Sequence, residues 1–209
     1  MNSPSLDQSP RVLRLSDMTK PHDFSRHFKE PGPILLELGA GKGEFAQRVA
    51  MERPDWNLLC VEIRSHRIRS LAKKCRKSSL QNLVILQARI EHLIPHCFFY
   101  GCIEEIYMNF PDPWIKHKQK NRRTVTSEFI RSLAELLKPG GRFHFATDIE
   151  AYAQHTLELV ENSSLFENLV GPGELTSNPG KHQQTLFYQH ALRAGRIPLF
   201  LHFQKNSEE

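Results

Sequence analysis

The sequence predicts an α/β protein built on a doubly wound, mostly parallel sheet of seven strands with helices on both faces. Two observations lead to this fold class. Short apolar runs alternate with longer amphipathic stretches along most of the chain. In addition, the glycine-rich segment "ELGAGKGEF" joins the first apolar run to the first amphipathic stretch, and open α/β sheets bind ligands at junctions of this kind.

The first half of the chain alternates regularly between strands and helices. "ILLEL" at 34–38 is a short apolar run closed by glycine, which predicts a strand, and "GEFAQRVAMERP" predicts a helix that Pro54 ends. "NLLCVEI" predicts the second strand, and "SHRIRSLAKKCRKS" a second helix with Ser65 as its expected N-cap. "NLVILQ" at 82–87 predicts the third strand.

The second half continues the pattern and adds two strands at its end. "IEEIYMNF" at 103–110 predicts the fourth strand, and "SEFIRSLAELLK" predicts a helix that "PGG" at 139–141 ends. "RFHFATD" at 142–148 predicts the fifth strand, and the helix "IEAYAQHTLELVEN" follows it. "LFENLV" and "IPLFLHFQ" predict the last two strands, around a polar stretch that contains glycine and proline.

The length of 209 residues fits one domain, which we place at 31–209. Residues 1–30 have weak periodicity, so we expect a mobile or loosely docked arm there. Its cations Arg11, Arg14 and Lys20 are available to an anionic partner.

Composition and charge narrow the function classes. No apolar run approaches the roughly 20 residues that span a bilayer, the amino terminus lacks signal-peptide features, and the four cysteines form no Cys-x-x-Cys pair. We therefore expect a cytoplasmic protein. The net charge is +5, and positive charge is clustered in 73–77 and 116–123. For 73–77, a solvated helix face and a surface for an anionic partner both remain open.

Three glycines alternate in the loop after the first strand, which lets the backbone approach a ligand closely. Glu62 stands nineteen residues after Gly43, at the end of the second strand, where a carboxylate can accept both ribose hydroxyls of an adenosine cofactor. Dinucleotide-binding proteins have the pattern G-x-G-x-x-G, whereas this loop has G-x-G-x-G, with Glu44 and Phe45 where the third glycine would fall. Glu37, just before the loop, suits a cation better than a pyrophosphate. The loop therefore favours S-adenosylmethionine over NAD, with Gly39 and Gly41 as cofactor-binding glycines.

The stretch "NFPDPWIKHKQKNRR" ends the fourth strand. Asp112 lies between two prolines, which hold it in a turn that cannot continue as a helix. A rigid carboxylate beside Trp114 can hold a planar, donor-bearing group such as the edge of guanine. The Lys and Arg residues of 116–123 can then contact phosphates.

At these residues the sequence resembles the tRNA (guanine-N7-)-methyltransferase family. "FPDPWIKHKQKNRR" is similar to the family's Phe-Pro-Asp-Pro-Trp signature and its basic segment, and "FHFATDIEAYA" is similar to its Thr-Asp segment. "LELGAGKGEF" and "VEI" match its cofactor motifs. The resemblance covers about residues 30–205. It implies a class I, Rossmann-like methyltransferase fold, S-adenosylmethionine as methyl donor, and methylation of N7 of the guanosine at variable-loop position 46 of tRNA.

Site residues can be transferred from this resemblance by position. It implies Asp112 as the catalytic residue at the junction of cofactor and guanine. The cofactor-binding residues are expected to be Glu37, Gly39, Gly41, Glu62, Arg89 and Asp112. The substrate-binding residues are expected to be Lys116, Asp148, Thr185 and Tyr188.

The sequence departs from the family at two of these positions. The family has Asp or Asn against the adenine, and here that position falls on Ala88 or Arg89, so backbone contacts would have to substitute. The family's Thr-x-Phe-Glu near the carboxyl end is replaced by Thr185, Leu186, Phe187 and Tyr188, so the acid is missing.

Guanine N7 already carries a lone pair, so catalysis is expected to consist mainly of positioning. A carboxylate near the base stabilises the cationic product, and either Asp112 or Asp148 can supply it. The alternatives are an exocyclic-amine methyltransferase of nucleic acids and a non-catalytic RNA-binding protein on the same fold. We expect tRNA as the partner, no metal, no obligatory partner chain, and a monomer or homodimer.

Overall fold

The structure is a computed structural model that describes residues 11–14, 22–90, 100–112, 124–180 and 182–207. Eight strands form one sheet, and helices cover both of its faces. The strands are β1 (Arg11–Arg14), β2 (Ile34–Leu38), β3 (Asn57–Glu62), β4 (Leu83–Gln87), β5 (Ile103–Asn109), β6 (Leu137–Thr147), β7 (Phe166–Asn168) and β8 (Leu199–Lys205). The helices are α1 (Glu44–Glu52), α2 (Ser65–Lys77), α3 (Ser127–Leu136), α4 (Glu150–Glu161) and α5 (Leu186–Arg193), with a 3-10 turn at Phe24–His27.

The strand order β1-β4-β3-β2-β5-β6-β8-β7 confirms the doubly wound sheet. All neighbouring strands from β1 to β6 are parallel, and β8 runs antiparallel to both β6 and β7. The order reverses between β2 and β5, and ligands bind at the carboxyl ends of the strands at such a switch point. The sheet has one strand more than the seven predicted.

Two apolar clusters lie on opposite faces of the sheet. α1 and α2 cover one face, where Phe45, Val49 and Leu71 are buried against β2, β3 and β4. α3 and α4 cover the other face, where Ile130 and Tyr152 are fully buried. Alternate residues of β2 therefore point into different cores, and all five are buried, as in a sheet covered on both faces.

The additional strand, β1, lies in the segment predicted to be an arm. It pairs in parallel with β4 at the edge of the sheet, with Arg14 opposite Gln87. Further along the same segment, Phe24 and Phe28 are buried in the core beneath α3 and α4. The domain boundary at residue 30 stays a prediction, but this segment contributes both a strand and core residues.

Two element boundaries differ from the prediction. The predicted helix end at 139–141 is wrong, because α3 ends at Leu136 and β6 begins at Leu137 and runs through these residues. An added Cβ at Gly141 would lie 3.1 Å from the backbone oxygen of Glu104, so glycine permits close strand pairing there. The predicted cap Ser65 is also wrong: Arg64 is the N-cap of α2, and the Ser65 hydroxyl instead accepts a hydrogen bond from Gln87.

The helix α5 was not predicted. It lies in the stretch expected to be irregular, and Thr185 is its N-cap, accepting a hydrogen bond from the Tyr188 backbone N–H. Ala191 is the one residue of this helix that is buried, so little of α5 packs into the core.

Candidate cofactor and substrate site

A cavity of about 740 Å³ lies at the carboxyl ends of the central strands. It brings together four of the residues predicted to bind the cofactor, from four separate loops. They are Gly39 after β2, Glu62 at the end of β3, Arg89 after β4, and Asp112 after β5. The predicted Gly41 and Glu37 do not line the cavity, but the Gly41 amide donates to Glu62 and Glu37 immediately precedes Leu38, and both Glu62 and Leu38 line it.

The glycine loop has a backbone conformation that other residues rarely adopt. Gly39, Gly41 and Gly43 have φ angles of 83°, 58° and 79°. The Gly39 and Ala40 amides both donate to the Val61 carbonyl oxygen, at 2.9 Å each, which ties the loop to the end of β3. The alternating glycines seen in the sequence are therefore required by the turn itself.

Glu62 connects this loop to the start of α2. One carboxylate oxygen accepts the amides of Ile63 and Arg64 at 2.8 Å each, and the other accepts the Gly41 amide at 3.0 Å. The Arg67 guanidinium lies 3.5 Å from the second oxygen. The side chain is 4% exposed and lines the cavity. Glu62 therefore holds the glycine loop and the first turn of α2 in place while it faces the cavity.

Glu37 is buried at the end of β2, and its Oε2 atom has no hydrogen-bond partner among the described residues. Burial raises the pKa of this carboxyl from 4.5 to about 8, and the nearby charges of Glu44 and Glu62 act in the same direction. The Arg48 guanidinium offsets part of this effect. A buried carboxyl of this kind is suited to receive a cationic ligand group.

Asn109 and Gln183 are two further polar residues of this region, and no sequence motif predicted a role for either of them. The Gln183 amide donates to Asn109 Oδ1 at 3.0 Å, although the two residues are 74 positions apart. Both side chains keep a buried polar atom without a partner in the described chain, Nδ2 of Asn109 and Oε1 of Gln183. Nothing in the sequence marked Gln183, because the fold alone brings it to the end of β5.

The segment before α5 is held against α1 by specific contacts. Arg48 of α1 donates to the backbone oxygens of His182 and Gln184, the latter at 2.9 Å. His182 Nδ1 lies 3.2 Å from Glu52 at the end of the same helix. These contacts keep Gln183 in place beside Asn109.

The backbone is strained where β5 ends. Phe110 has a φ of 51°, which a residue with a large side chain rarely adopts. Its amide donates to the Ala146 carbonyl oxygen at 2.8 Å, and its ring stacks on Phe187 of α5 at 6.2 Å. After this bend, Pro111 and Asp112 line the cavity, and Asp112 is exposed. The turn directs the chain, and with it the Asp112 carboxylate, along the cavity wall.

Three of the four predicted substrate-binding residues belong to the described part of the chain, and none of these three lines the cavity. Lys116 and Trp114 lie outside the described residues. Asp148 does not line the cavity, and its carboxylate forms an ion pair with Arg196 at 3.1 Å. Thr185 is buried as the N-cap of α5, and the Tyr188 ring packs against Phe200 at 6.0 Å. Their substrate-binding roles stay predictions.

The described residues contain neither a membrane-spanning helix nor a metal-binding cluster. Within these ranges, no helix combines the length and apolar character needed to cross a membrane. In the same part of the chain, no three His, Cys, Asp or Glu side chains are grouped so that they could hold a metal ion.

Comparison with known proteins gives concordant matches. A family model described as "Putative methyltransferase" matches residues 31–197. The tRNA (guanine-N(7)-)-methyltransferase of a Polaromonas species is 34% identical over 191 residues, which is 90% of this chain and 77% of the relative. The enzyme of the same name from Alkalilimnicola ehrlichii is 31% identical over 186 residues, covering 89% and 78%.

Solved structures share the fold at lower sequence identity. The 16S rRNA methyltransferase KamB superposes with a TM-score of 0.64 at 15% identity, covering 94% of this chain and 99% of that chain. A 16S rRNA (adenine(1408)-N(1))-methyltransferase from Catenulisporales acidiphilia, solved with its cosubstrate SAM, has a TM-score of 0.59 at 18% identity, covering 88% and 89%. These likenesses show the class I methyltransferase fold.

Proposed function

The chain belongs to the tRNA (guanine-N(7)-)-methyltransferase family, and we propose that it transfers a methyl group from S-adenosylmethionine to N7 of a guanosine in tRNA, at variable-loop position 46. The observation that carries this proposal is the shared cavity of Glu62 and Asp112. It places a carboxylate suited to a ribose and a carboxylate suited to a guanine on the walls of one space.

The residues of the site fit S-adenosylmethionine in charge and in hydrogen-bonding capacity. Next to the cavity lining, the buried Oε2 of Glu37 and Oε1 of Gln183 lack a described partner and are acceptors for an ammonium group. Glu62 would hold the ribose, and the Gly39 backbone leaves room for close approach because nothing lies within 4 Å of its Cβ position. Ala88 and Arg89 line the wall expected to face the adenine.

Asp112 is the residue we assign to the target base. Its carboxylate is an acceptor for the N1–H and amino donors of a guanine edge. The strained turn at Phe110 and the flanking Pro111 fix the backbone that carries it. Positioning of this kind is the main catalytic contribution where the nucleophile needs no deprotonation.

When bound, S-adenosylmethionine supplies an electrophilic methyl group on a sulfonium, and the N7 lone pair forms the new bond as the electrons of the carbon–sulfur bond leave with sulfur. The guanine becomes cationic, so a carboxylate beside it interacts more strongly with the transition state than with the ground state. We assign this role to Asp112 rather than Asp148, because Asp112 lines the cavity and Asp148 is paired with Arg196.

Nucleoside analysis tests this proposal. The purified protein is incubated with unmodified tRNA and labelled S-adenosylmethionine, and the tRNA is digested to nucleosides. We expect the label in 7-methylguanosine. Label in an N-methylated exocyclic amine would instead favour the exocyclic-amine alternative, and cofactor and tRNA binding without transfer would favour the non-catalytic one. We place this reaction in the cytoplasm, where tRNA is the partner.

A further inference from the structure

One long segment of the described chain is rich in positive charge and free of acidic residues. Residues 63–90 carry eight Lys or Arg side chains and no Asp or Glu, whereas the whole chain has 28 and 23. The rest of the chain therefore holds 20 cationic and 23 acidic side chains, a net charge of −3. This segment runs from the end of β3 through α2 to the residues after β4.

Most of these cations are not neutralised by ion pairs. Lys74 pairs with Glu44 at 2.5 Å, and Arg67 lies 3.5 Å from Glu62. The other six are exposed, and none forms an ion pair with a residue in the described ranges. These six are Arg64, Arg69, Lys73, Arg76, Lys77 and Arg89.

Stability of α2 does not explain this distribution. Cations in the last turn complement the helix dipole, which accounts for Arg76 and Lys77. At the N-terminus of a helix, however, a cation opposes the dipole, and α2 has Arg64 and Arg67 in that position with no acid in its first turn. The helix dipole therefore accounts for the cations in the last turn of α2 but not for Arg64 at its start.

Three of the exposed cations lie along one face of α2, and the first turn of this helix is beside the cavity. Arg69, Lys73 and Arg76 follow one another at the spacing of a single helix face, while Leu71 and Cys75 are buried against the sheet. The thirteen residues of α2 span about 20 Å, at 1.5 Å per residue. At the start of the helix, Arg64 and Arg67 line the cavity itself.

β1 adds a further cation at the same end of the helix. Arg14 is exposed and pairs in register with Gln87, whose amide donates at 3.0 Å to the Ser65 hydroxyl in the first turn of α2. Arg14 and the start of α2 thus lie at the same edge of the sheet, beside the cavity.

We propose that the cationic face of α2, formed by Arg69, Lys73 and Arg76, binds backbone phosphates of the tRNA outside the target nucleoside. This inference rests on the proposed function. A polyanion whose target base occupies the cavity must leave along its rim, and near this rim α2 offers exposed cations that form no ion pair with a described residue. Guanidinium groups bind phosphate in a bidentate geometry, which suits the arginines of this face.

The test compares two triple variants with the wild-type protein. In the first, Arg69, Lys73 and Arg76 are replaced by Gln, which has a helix propensity similar to that of Lys and Arg. In the matched control, the exposed cations Lys29, Arg131 and Arg142, which lie away from the cavity and from α2, are replaced by Gln. Both variants lose three charges, so a general charge effect is the same in each.

We measure tRNA affinity over a series of salt concentrations, together with cofactor affinity, thermal unfolding and turnover at saturating tRNA. The α2 variant should bind tRNA more weakly, and its slope of log affinity against log salt should shrink by about two, at about 0.7 for each lost single-strand phosphate contact. Its cofactor affinity, thermal unfolding and saturated turnover should match the wild type. The control should keep the wild-type slope.

The possible failures are distinguishable. A wild-type slope in the α2 variant, with a wild-type protein that methylates tRNA, overturns this inference and leaves the proposed function standing. Equal loss of slope in both variants also overturns it, because the effect would then belong to total charge. If the wild-type protein neither binds nor methylates tRNA, both the inference and the proposed function are wrong.

Discussion

At the scale of single residues, Glu62 and Glu37 show two different uses of a carboxylate. Glu62 accepts three backbone amides, which leaves about one of its roughly four lone-pair positions for a ligand. It both shapes the glycine loop and faces the cavity. Glu37 is buried with an unpartnered oxygen and a raised pKa, so the cofactor-free protein holds it largely protonated near neutral pH.

Replacing Glu62 by Gln should weaken cofactor binding and also destabilise the fold. The amide has one acceptor oxygen instead of two, so its NH₂ group must face a backbone N–H of Gly41 or of the first turn of α2. We expect a loss of affinity of about tenfold or more, with a lower Tm. Calorimetric titration with S-adenosylmethionine and thermal unfolding measure both. Glu104→Gln, at the amino end of β5, is the control, and equal affinities in both variants would remove Glu62 from the site.

Glu37 should make the stability of the cofactor-free protein fall with rising pH. The pKa of this carboxyl in the folded protein, about 8, lies above its ordinary value of 4.5, which we take for the unfolded chain. Between these values the folded state keeps a proton that the unfolded state loses, so the stabilisation is complete below pH 4.5 and lost as the pH passes 8. Glu37→Gln removes this dependence.

Denaturant unfolding of the wild type and of Glu37→Gln from pH 5 to pH 9 measures the effect. The free energy of unfolding of the variant minus that of the wild type should increase by up to about 1.4 kcal/mol per pH unit between pH 5 and pH 8, and then level off. Contributions from other titrating groups cancel in the difference. Parallel pH profiles would show that Glu37 is ionised in the folded protein and contradict its assigned state.

Asp112 and Asp148 can be separated by a pair of matched variants. Asp112→Asn keeps size but removes charge beside the developing cation, so turnover at saturating substrates should fall about tenfold or more, with cofactor affinity changed less. Asp148→Asn should lose much less turnover, because that carboxylate is paired with Arg196 and lies outside the cavity lining. Steady-state kinetics decides, and the reverse order of losses would transfer the role to Asp148.

At the scale of the elements, the packing of α1 on α2 fixes the glycine loop. Gly43 is the N-cap of α1 with a φ of 79°, and an added Cβ would lie 2.1 Å from Leu71 Cδ1 of α2. The third glycine therefore serves both the turn and the contact between the two helices. Because Leu71 is fully buried, it has little freedom to move away.

Gly43→Ala should consequently destabilise the protein more than an alanine at a glycine of similar conformation. Gly173 is the control, since it has a φ of 74° with nothing within 4 Å of its Cβ position. Gly173→Ala should cost about 1–2 kcal/mol for the left-handed conformation alone. Gly43→Ala should add about 1–3 kcal/mol for overpacking. Chemical denaturation measures both, and equal losses would show that Leu71 repacks freely.

The elements also show what could be predicted from the sequence. The strands and helices near the glycine loop are periodic and apolar, so local patterns were sufficient. β1 has four residues and pairs with β4, so it is too short to show a clear period. α5 has eight residues and buries Ala191 alone, so it contributes little to the core. The carboxylates of the site were predicted because they belong to short motifs. Asn109 and Gln183 were not, because their contact joins residues 74 positions apart.

At the scale of the whole molecule, the carboxyl edge of the sheet collects the functional groups. The switch point between β2 and β5 opens the cavity, and the loops after β2, β3, β4 and β5 line it. α2 starts at this edge and carries positive charge away from it. The proposed cofactor site, base site and phosphate surface thus all lie at or begin from one edge of the sheet.

The most direct test of the central claim is the location of the transferred methyl group. Two tRNA transcripts, one with guanosine and one with adenosine at variable-loop position 46, are incubated with the protein and S-adenosylmethionine, and nuclease fragments are analysed by mass spectrometry. We predict one methyl group on the fragment that contains this guanosine, as 7-methylguanosine, and none on the adenosine transcript. Methylation of both transcripts, or a methyl group on an exocyclic amine, would contradict the account.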